Sequence, residues 1–167
     1  SPAITGVGAL TSGSIGSGVT GYTGIKEIDH WRLTSDFGNG ANPISSNLER
    51  SDDASFSKIG TGMSVSSGIW TFPSTGIWLV RAIGTWISSS SDADYGGIGI
   101  EVAPDGASGT FDTVAETYCG IYTTNHRATQ VTEAFIDVTN TTNVVLKFVA
   151  FAQTSDGVLR GHSGLSE

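Results

Sequence analysis

From Ile25 onward, hydrophobic positions recur with a period of two. Runs of β-branched and aromatic residues are separated at short, fairly even spacing by Gly, Asn, Asp, Ser and Pro, the pattern of strands joined by turns. The alternation predicts strands over Glu27–Ser35, Ser55–Gly60, Met63–Phe72, Gly76–Ile87, Gly97–Val102, Thr110–Tyr122, Thr129–Val138 and Asn143–Ala152. No window of helical length keeps an apolar stripe at i, i+3, i+4 and i+7, so the expected fold is all-β, a sandwich or barrel.

The turns are better marked than the strands. Pro73-Ser-Thr-Gly76 reads as a reversal in which Pro fixes φ and Gly ends the turn, and Ala103-Pro-Asp-Gly106 and Asn140-Thr-Thr-Asn143 read likewise. Two longer loops, Gly38–Ala54 with its Asp52-Asp53 pair and Ser88–Tyr95 with Asp92-Ala-Asp94, are expected to be solvated and to be where recognition sits.

One strand departs from simple alternation. Within Ile77–Ile87 one face carries Trp78, Val80, Ala82, Gly84 and Trp86, while the other carries Ile77, Leu79, Arg81, Ile83, Thr85 and Ile87. Val144–Phe151 is similarly apolar on both faces, with Lys147 its only charge. A sandwich buries one face of each sheet, so a strand apolar on both sides needs a second cover, either a loop of the same chain or a neighbouring subunit.

Composition narrows the possibilities. The 167 residues include 23 Gly but only 8 Lys and Arg against 16 Asp and Glu, for a net charge of −8. A chain of this length suits one core with an appendage. Its negative charge, with no basic cluster to offset it, argues against nucleic acid as a partner. No run of about 18 apolar residues occurs, so membrane insertion is not expected, and the first residues lack the charged and apolar regions of a secretory signal. The chain opens at Ser1-Pro2 without Met, which implies processing or derivation from something longer. The lone Cys119 lies in an alternating pattern and reads as a small buried hydrophobe.

A family resemblance enters at the Ser67–Val80 stretch, SGIWTFPSTGIWLV. It resembles the element of complement C-one-q-like and tumour-necrosis-factor-like jelly-roll heads in which a strand ends, a Pro/Gly turn follows and a Gly-x-Tyr-x-Phe strand begins. Trp78 stands where that family usually has Tyr, and Val80 where it often has Phe. HWRLT at His30–Thr34, PISSNLER at Pro43–Arg50 and IGTGM at Ile59–Met63 look like the variants of this head found in bacteriophage structural proteins. The resemblance spans Ile25 to Gly157 and departs at the closing strand, where Gln153–Glu167 offers only a polar, Gly-rich tail.

The resemblance implies a homotrimeric jelly-roll β-sandwich head (residues 23–167) on an extended N-terminal Gly/Ser/Thr-rich stalk or linker (residues 1–22). Ile77, Leu79, Ile83 and Ile87 then become the expected trimer interface. The stalk lacks Gly at every third position, which excludes a collagen helix. Ile4, Val7, Leu10, Ile15 and Val19 would face the axis of a three-chain shaft, ordered only when the trimer forms.

Candidate chemistry is sparse. His30, His126 and His162 are far apart and no catalytic constellation has a telling spacing, so no enzyme is expected. Asp52-Asp53 and Asp92-Ala-Asp94 carry the hard oxygens that Ca²⁺ takes, but match no calcium loop and read more simply as solvated acids. Asn140-Thr-Thr142 is a formal glycosylation sequon. Trp31, Trp70, Trp78 and Trp86 are many for one small core, and Tyr95, with Asp52 and Asp53, marks the expected ligand loops.

The resulting expectation is a non-enzymatic phage structural protein: a trimeric fibre or head-appendage tip in the virion, assembled in the host cytoplasm. It would contact other virion proteins and adhere to a host-surface glycan or protein. A capsid-decorating trimer that only stabilises the shell, a carbohydrate-binding module of a larger enzyme, and a secreted complement-like or cytokine-like ligand are the alternatives.

Overall fold

The computed structural model describes residues 24–38, 40–51, 55, 58–90 and 94–162. Among them there is no helix, and ten strands form three antiparallel sheets. These are β1 (Trp31–Leu33), β2 (Leu48–Arg50), β3 (Ser64–Ser66), β4 (Ile69–Thr71), β5 (Gly76–Ser88), β6 (Tyr95–Ala103), β7 (Asp112–Gly120), β8 (Arg127–Val138), β9 (Val145–Ala152) and β10 (Gly157–Leu159). A five-stranded sheet runs β3-β4-β9-β6-β7, a three-stranded sheet runs β10-β5-β8, and β1-β2 forms a small ribbon.

The two larger sheets face each other across the core, the layering of a β-sandwich. Their inner faces supply two adjoining apolar clusters. One joins Trp86 of β5 and Leu159 of β10 to Ile98 of β6 and Ala150 of β9. The other joins Val80 and Ile136 to Trp70, Ile100 and Leu146. Trp86, Ile100 and Leu146 are wholly buried, each contributing on the order of 1.5–3 kcal/mol of apolar transfer. Large side chains meet glycines of the opposite sheet: a Cβ on Gly96 would lie 2.3 Å from the Trp86 ring, and one on Gly84 would lie 2.1 Å from Ile98 Cδ1. This pairing of large with absent side chains lets the sheets pack at interior density.

The five long strands, β5 to β9, fall where the alternation predicts them. The short ones do not. Met63–Phe72, expected as one strand, is the hairpin β3-β4, because Ser67 and Gly68 both take positive φ (50° and 81°), the conformation of a tight two-residue turn. The Gly38–Ala54 loop holds β2 and buries Ala41 and Ile44, so it is not the solvated loop expected. In Ser55–Gly60 the described residues supply only a bridge from Ile59 to Ile28.

In Ser88–Tyr95 the described loop residues Ser89 and Asp94 are exposed, as expected, while the segment is anchored at its start. Ser88 is fully buried, and the Ser90 hydroxyl donates to Asp156 at 2.6 Å.

The tail is not wholly irregular either. Gly157–Leu159 pairs with β5 through Gly157↔Ser88 and Leu159↔Trp86, and Phe37 exchanges backbone hydrogen bonds with Leu159. Gly157–Leu159 is therefore a short closing strand within the stretch that reads as a polar, Gly-rich tail.

Asp29 ties the β1-β2 ribbon to β3. Its carboxylate accepts from Arg50 Nε (2.8 Å) and Nη2 (3.0 Å), from Trp31 Nε1 (2.8 Å) and from the Met63 N–H (2.8 Å). The Arg50 guanidinium also lies 4.5 Å from the Trp31 ring centroid. Trp31 in turn packs edge-on against Trp70 at 4.9 Å, which carries the ribbon onto the core.

Candidate functional site

Alternation in β5 and β8 decides what the three-stranded sheet shows to the outside. With Val80, Gly84 and Trp86 turned into the core, the intervening residues of β5 point outward. Register aligns them with the outward residues of β8: Ile77 opposite Asp137, Leu79 opposite Phe135, Arg81 opposite Glu133, Ile83 opposite Val131, Thr85 opposite Thr129 and Ile87 opposite Arg127.

The result is two apolar rows, Leu79 with Phe135 and Ile83 with Val131, separated by an ion pair. Phe135 is 76% exposed, Ile77 69%, Ile83 65%, Leu79 49% and Val131 49%. Arg81 bridges Glu133 at 2.7 Å with both side chains about half exposed, so the pair adds little energy but keeps two charges aligned between the rows. The Thr85 and Thr129 hydroxyls meet at 2.8 Å at the next position. Single exposed aliphatic residues are ordinary on a protein surface, but a contiguous patch of them marks an interaction site.

Ile77, Leu79 and Ile83 thus share one exposed face with the partners Val131 and Phe135, which the sequence reading did not single out. Their signal was the alternation of β8, where Val131, Glu133 and Phe135 occupy one parity. Ile87 lies on the same face but is only half-exposed, standing beside Val158 of β10.

The other expected site residues scatter. Tyr95 opens β6, is 38% exposed, and meets Tyr118 edge-on at 5.6 Å. Asp94 is exposed; its N–H donates to Gln153 Oε1 at 3.0 Å and its carbonyl accepts from Ile121. Asp52, Asp53 and Asp92, and the stalk residues Ile4, Val7, Leu10, Ile15 and Val19, lie outside the described residues. Among the described residues no group of three or more His, Cys, Asp or Glu is gathered to hold a metal ion.

The titratable groups are mostly engaged structurally. The His30 imidazole meets the Ser51 hydroxyl at 2.9 Å, while the neighbouring Asp29 carboxylate is taken up by Arg50, Trp31 and Met63. Burial raises the Asp29 pKa, but the hydrogen bonds from Arg50, Trp31 and Met63 outweigh it and hold the carboxyl below its ordinary range. Burial pushes the Cys119 thiol up, so at neutral pH it is a protonated and weak nucleophile. The His126 ring stacks on Tyr122 at 6.2 Å.

Among the described residues no helix is long and apolar enough to cross a membrane. A scan against protein-family models finds none that matches the chain, and a search of curated proteins finds no significant match.

Proposed function

We propose that this protein is a self-assembling, non-catalytic structural module of a virion, of the bacteriophage type. It is the homotrimeric jelly-roll tip of a fibre or head appendage that adheres to the host surface. The observation that carries this reading is the exposed apolar face of β5 and β8. Together its five large apolar side chains leave roughly three side chains' worth of surface uncovered, on the order of 5–9 kcal/mol per protomer if fully buried. Three copies meeting around an axis would stack these residues in two layers, Leu79 with Phe135 and Ile83 with Val131, with Arg81 and Glu133 between them.

Connectivity supports the jelly-roll part. After β4 the chain passes to the other sheet for β5, returns for the β6-β7 pair, crosses again for β8, returns for β9 and crosses a last time for β10. Such Greek-key crossing between two sheets is the habit of jelly rolls. The Gly/Ser-rich opening segment is assigned to the stalk, and three linked heads would give adhesion by avidity.

Solution mass by light scattering tests the reading, on the full chain and on a version beginning at Thr23. A trimer from both supports assembly through the β5 and β8 face. A trimer only with residues 1–22 present transfers assembly to the stalk, and a monomer from both overturns the proposal.

A further inference from the structure

The opposite surface of the sandwich carries a second feature. On the outer face of the five-stranded sheet, Gly97 of β6 lies between Tyr118 of β7 and Phe151 of β9. Gly99 lies between Glu116 and Val149 one pair further along. The Phe151 ring and the Val149 side chain fill the space over these glycines, so the shallow trough that remains runs along Tyr118 rather than over them. A Cβ on Gly97 would lie 2.0 Å from the Phe151 ring, while Tyr118 and Phe151 approach to 5.0 Å between centroids. Tyr118 is 54% exposed and Tyr122, at the end of the same edge, 64%.

Tyr118 divides this surface into two depressions. One, about 290 Å³, is lined by Glu101, Glu116, Asn42, Thr113 and Phe151 besides Tyr118. The other, about 380 Å³, is lined by Asp94, Tyr95 and Tyr122 on its far side. Each therefore pairs an exposed aromatic ring with at least one carboxylate.

We propose that this trough is a saccharide-binding subsite for a neutral glycan, with Tyr118 as its central stacking platform and Glu116 as a hydroxyl acceptor. Exposed phenol rings offer a flat apolar face to the C–H face of a pyranose and a hydroxyl at the rim. Carboxylates accept hydrogen bonds from sugar hydroxyl groups, and such charge-assisted bonds are the stronger kind. Glu101 is neutralised by Lys147 at 2.9 Å, but Glu116 and Asp94 on the trough and a net charge of −8 oppose sulfated, phosphorylated or sialylated glycans. The shallow, open shape suits a chain lying along the surface with one sugar on each side of Tyr118.

The subsite rests on the adhesion reading only for its biological use. Because it lies on the face opposite the β5 and β8 patch, assembly through that patch leaves three copies facing outward, where weak single-site binding multiplies.

The test uses the full chain and saturation-transfer NMR against cello-, malto-, xylo- and chitohexaose, with heparin as the anionic control. At least one neutral hexasaccharide is expected to bind and to place its saturation on tyrosine protons. Tyr118→Ala is expected to weaken that binding at least tenfold, and Tyr118→Phe, which keeps the ring, by less; Glu116→Gln is expected to weaken it severalfold.

Circular dichroism and light scattering on each variant separate lost binding from lost folding or assembly. The proposal is overturned if none of the four neutral sugars binds, if Tyr118→Ala binds like the parent, or if heparin binds more tightly than the neutral sugars. None of these outcomes alters the measured mass, so the subsite and the self-assembly reading fail independently.

Discussion

Replacing Asp29 with Ala removes the one carboxylate on which the β1-β2 ribbon, β3 and Trp31 converge. Its cost follows from the partners it leaves behind. Trp31 Nε1 and the Met63 N–H, both partly buried, each lose their acceptor, at about 1 kcal/mol apiece. Arg50 loses two charge-assisted bonds but is 33% exposed and keeps the Met63 carbonyl, so water recovers part of the loss and about 1 kcal/mol remains. The total is about 3 kcal/mol. At a urea slope of about 2 kcal/mol per M, this lowers the unfolding midpoint by about 1.5 M.

The pH dependence gives an independent check with a definite sign. Asp29 is held below its ordinary range in the folded protein. Its contribution is therefore complete above the unfolded aspartate pKa of about 3.9 and is lost as pH falls through the lower folded value. Urea unfolding followed by tryptophan fluorescence, at fixed protein concentration, should show a large gap between parent and Asp29→Ala at pH 7. That gap should narrow as the pH is taken down through the carboxylate range. A neutral-pH difference under about 1 kcal/mol, or one that stays constant into acid, would refute the reasoning.

Two further substitutions probe the core. The buried Gln130 amide has neither its nitrogen nor its oxygen bonded to a protein partner among the described residues. Gln130→Leu should therefore stabilise by about 1 kcal/mol and raise Tm by about 2–4 °C; scanning calorimetry showing a lower Tm would contradict this. Gly96→Ala drives a methyl group into the Trp86 ring and should cost about 1–3 kcal/mol by overpacking, seen as an earlier urea midpoint, whereas an unchanged midpoint would mean that the sheets can separate freely there.

How far the chain announces its own structure depends on strand length. In β5 through β9, eight to thirteen residues each repeat the alternation often enough to stand out. Strands of three residues, such as β1, β2 and β10, hold one or two inward positions and carry no periodic signal. Their existence depends on what lies beside them, as when Leu159 falls opposite Trp86. The Ser67-Gly68 turn was written in the chain as a dipeptide with a known preference, yet the apolar flanks hid it inside a longer run.

The candidate surfaces follow the same logic. Ile77, Leu79 and Ile83 were legible because both faces of one strand are apolar. Phe135 and Val131 become their companions only through the β5 and β8 register. Tyr118 was not legible as a site, since its meeting with Phe151 across Gly97 joins three strands whose order no local pattern encodes.

Sedimentation equilibrium on the parent and on Phe135→Asp tests the central claim most directly. Phe135 is 76% exposed in the single chain, so its replacement should leave folding within about 0.5 kcal/mol. In a trimer it would remove about 2 kcal/mol of burial from each copy and add a buried charge to each, weakening association by four orders of magnitude or more. The account predicts a trimeric parent and a monomeric variant with the same circular dichroism spectrum. A parent that stays monomeric at every concentration, or a variant that stays trimeric, would contradict it.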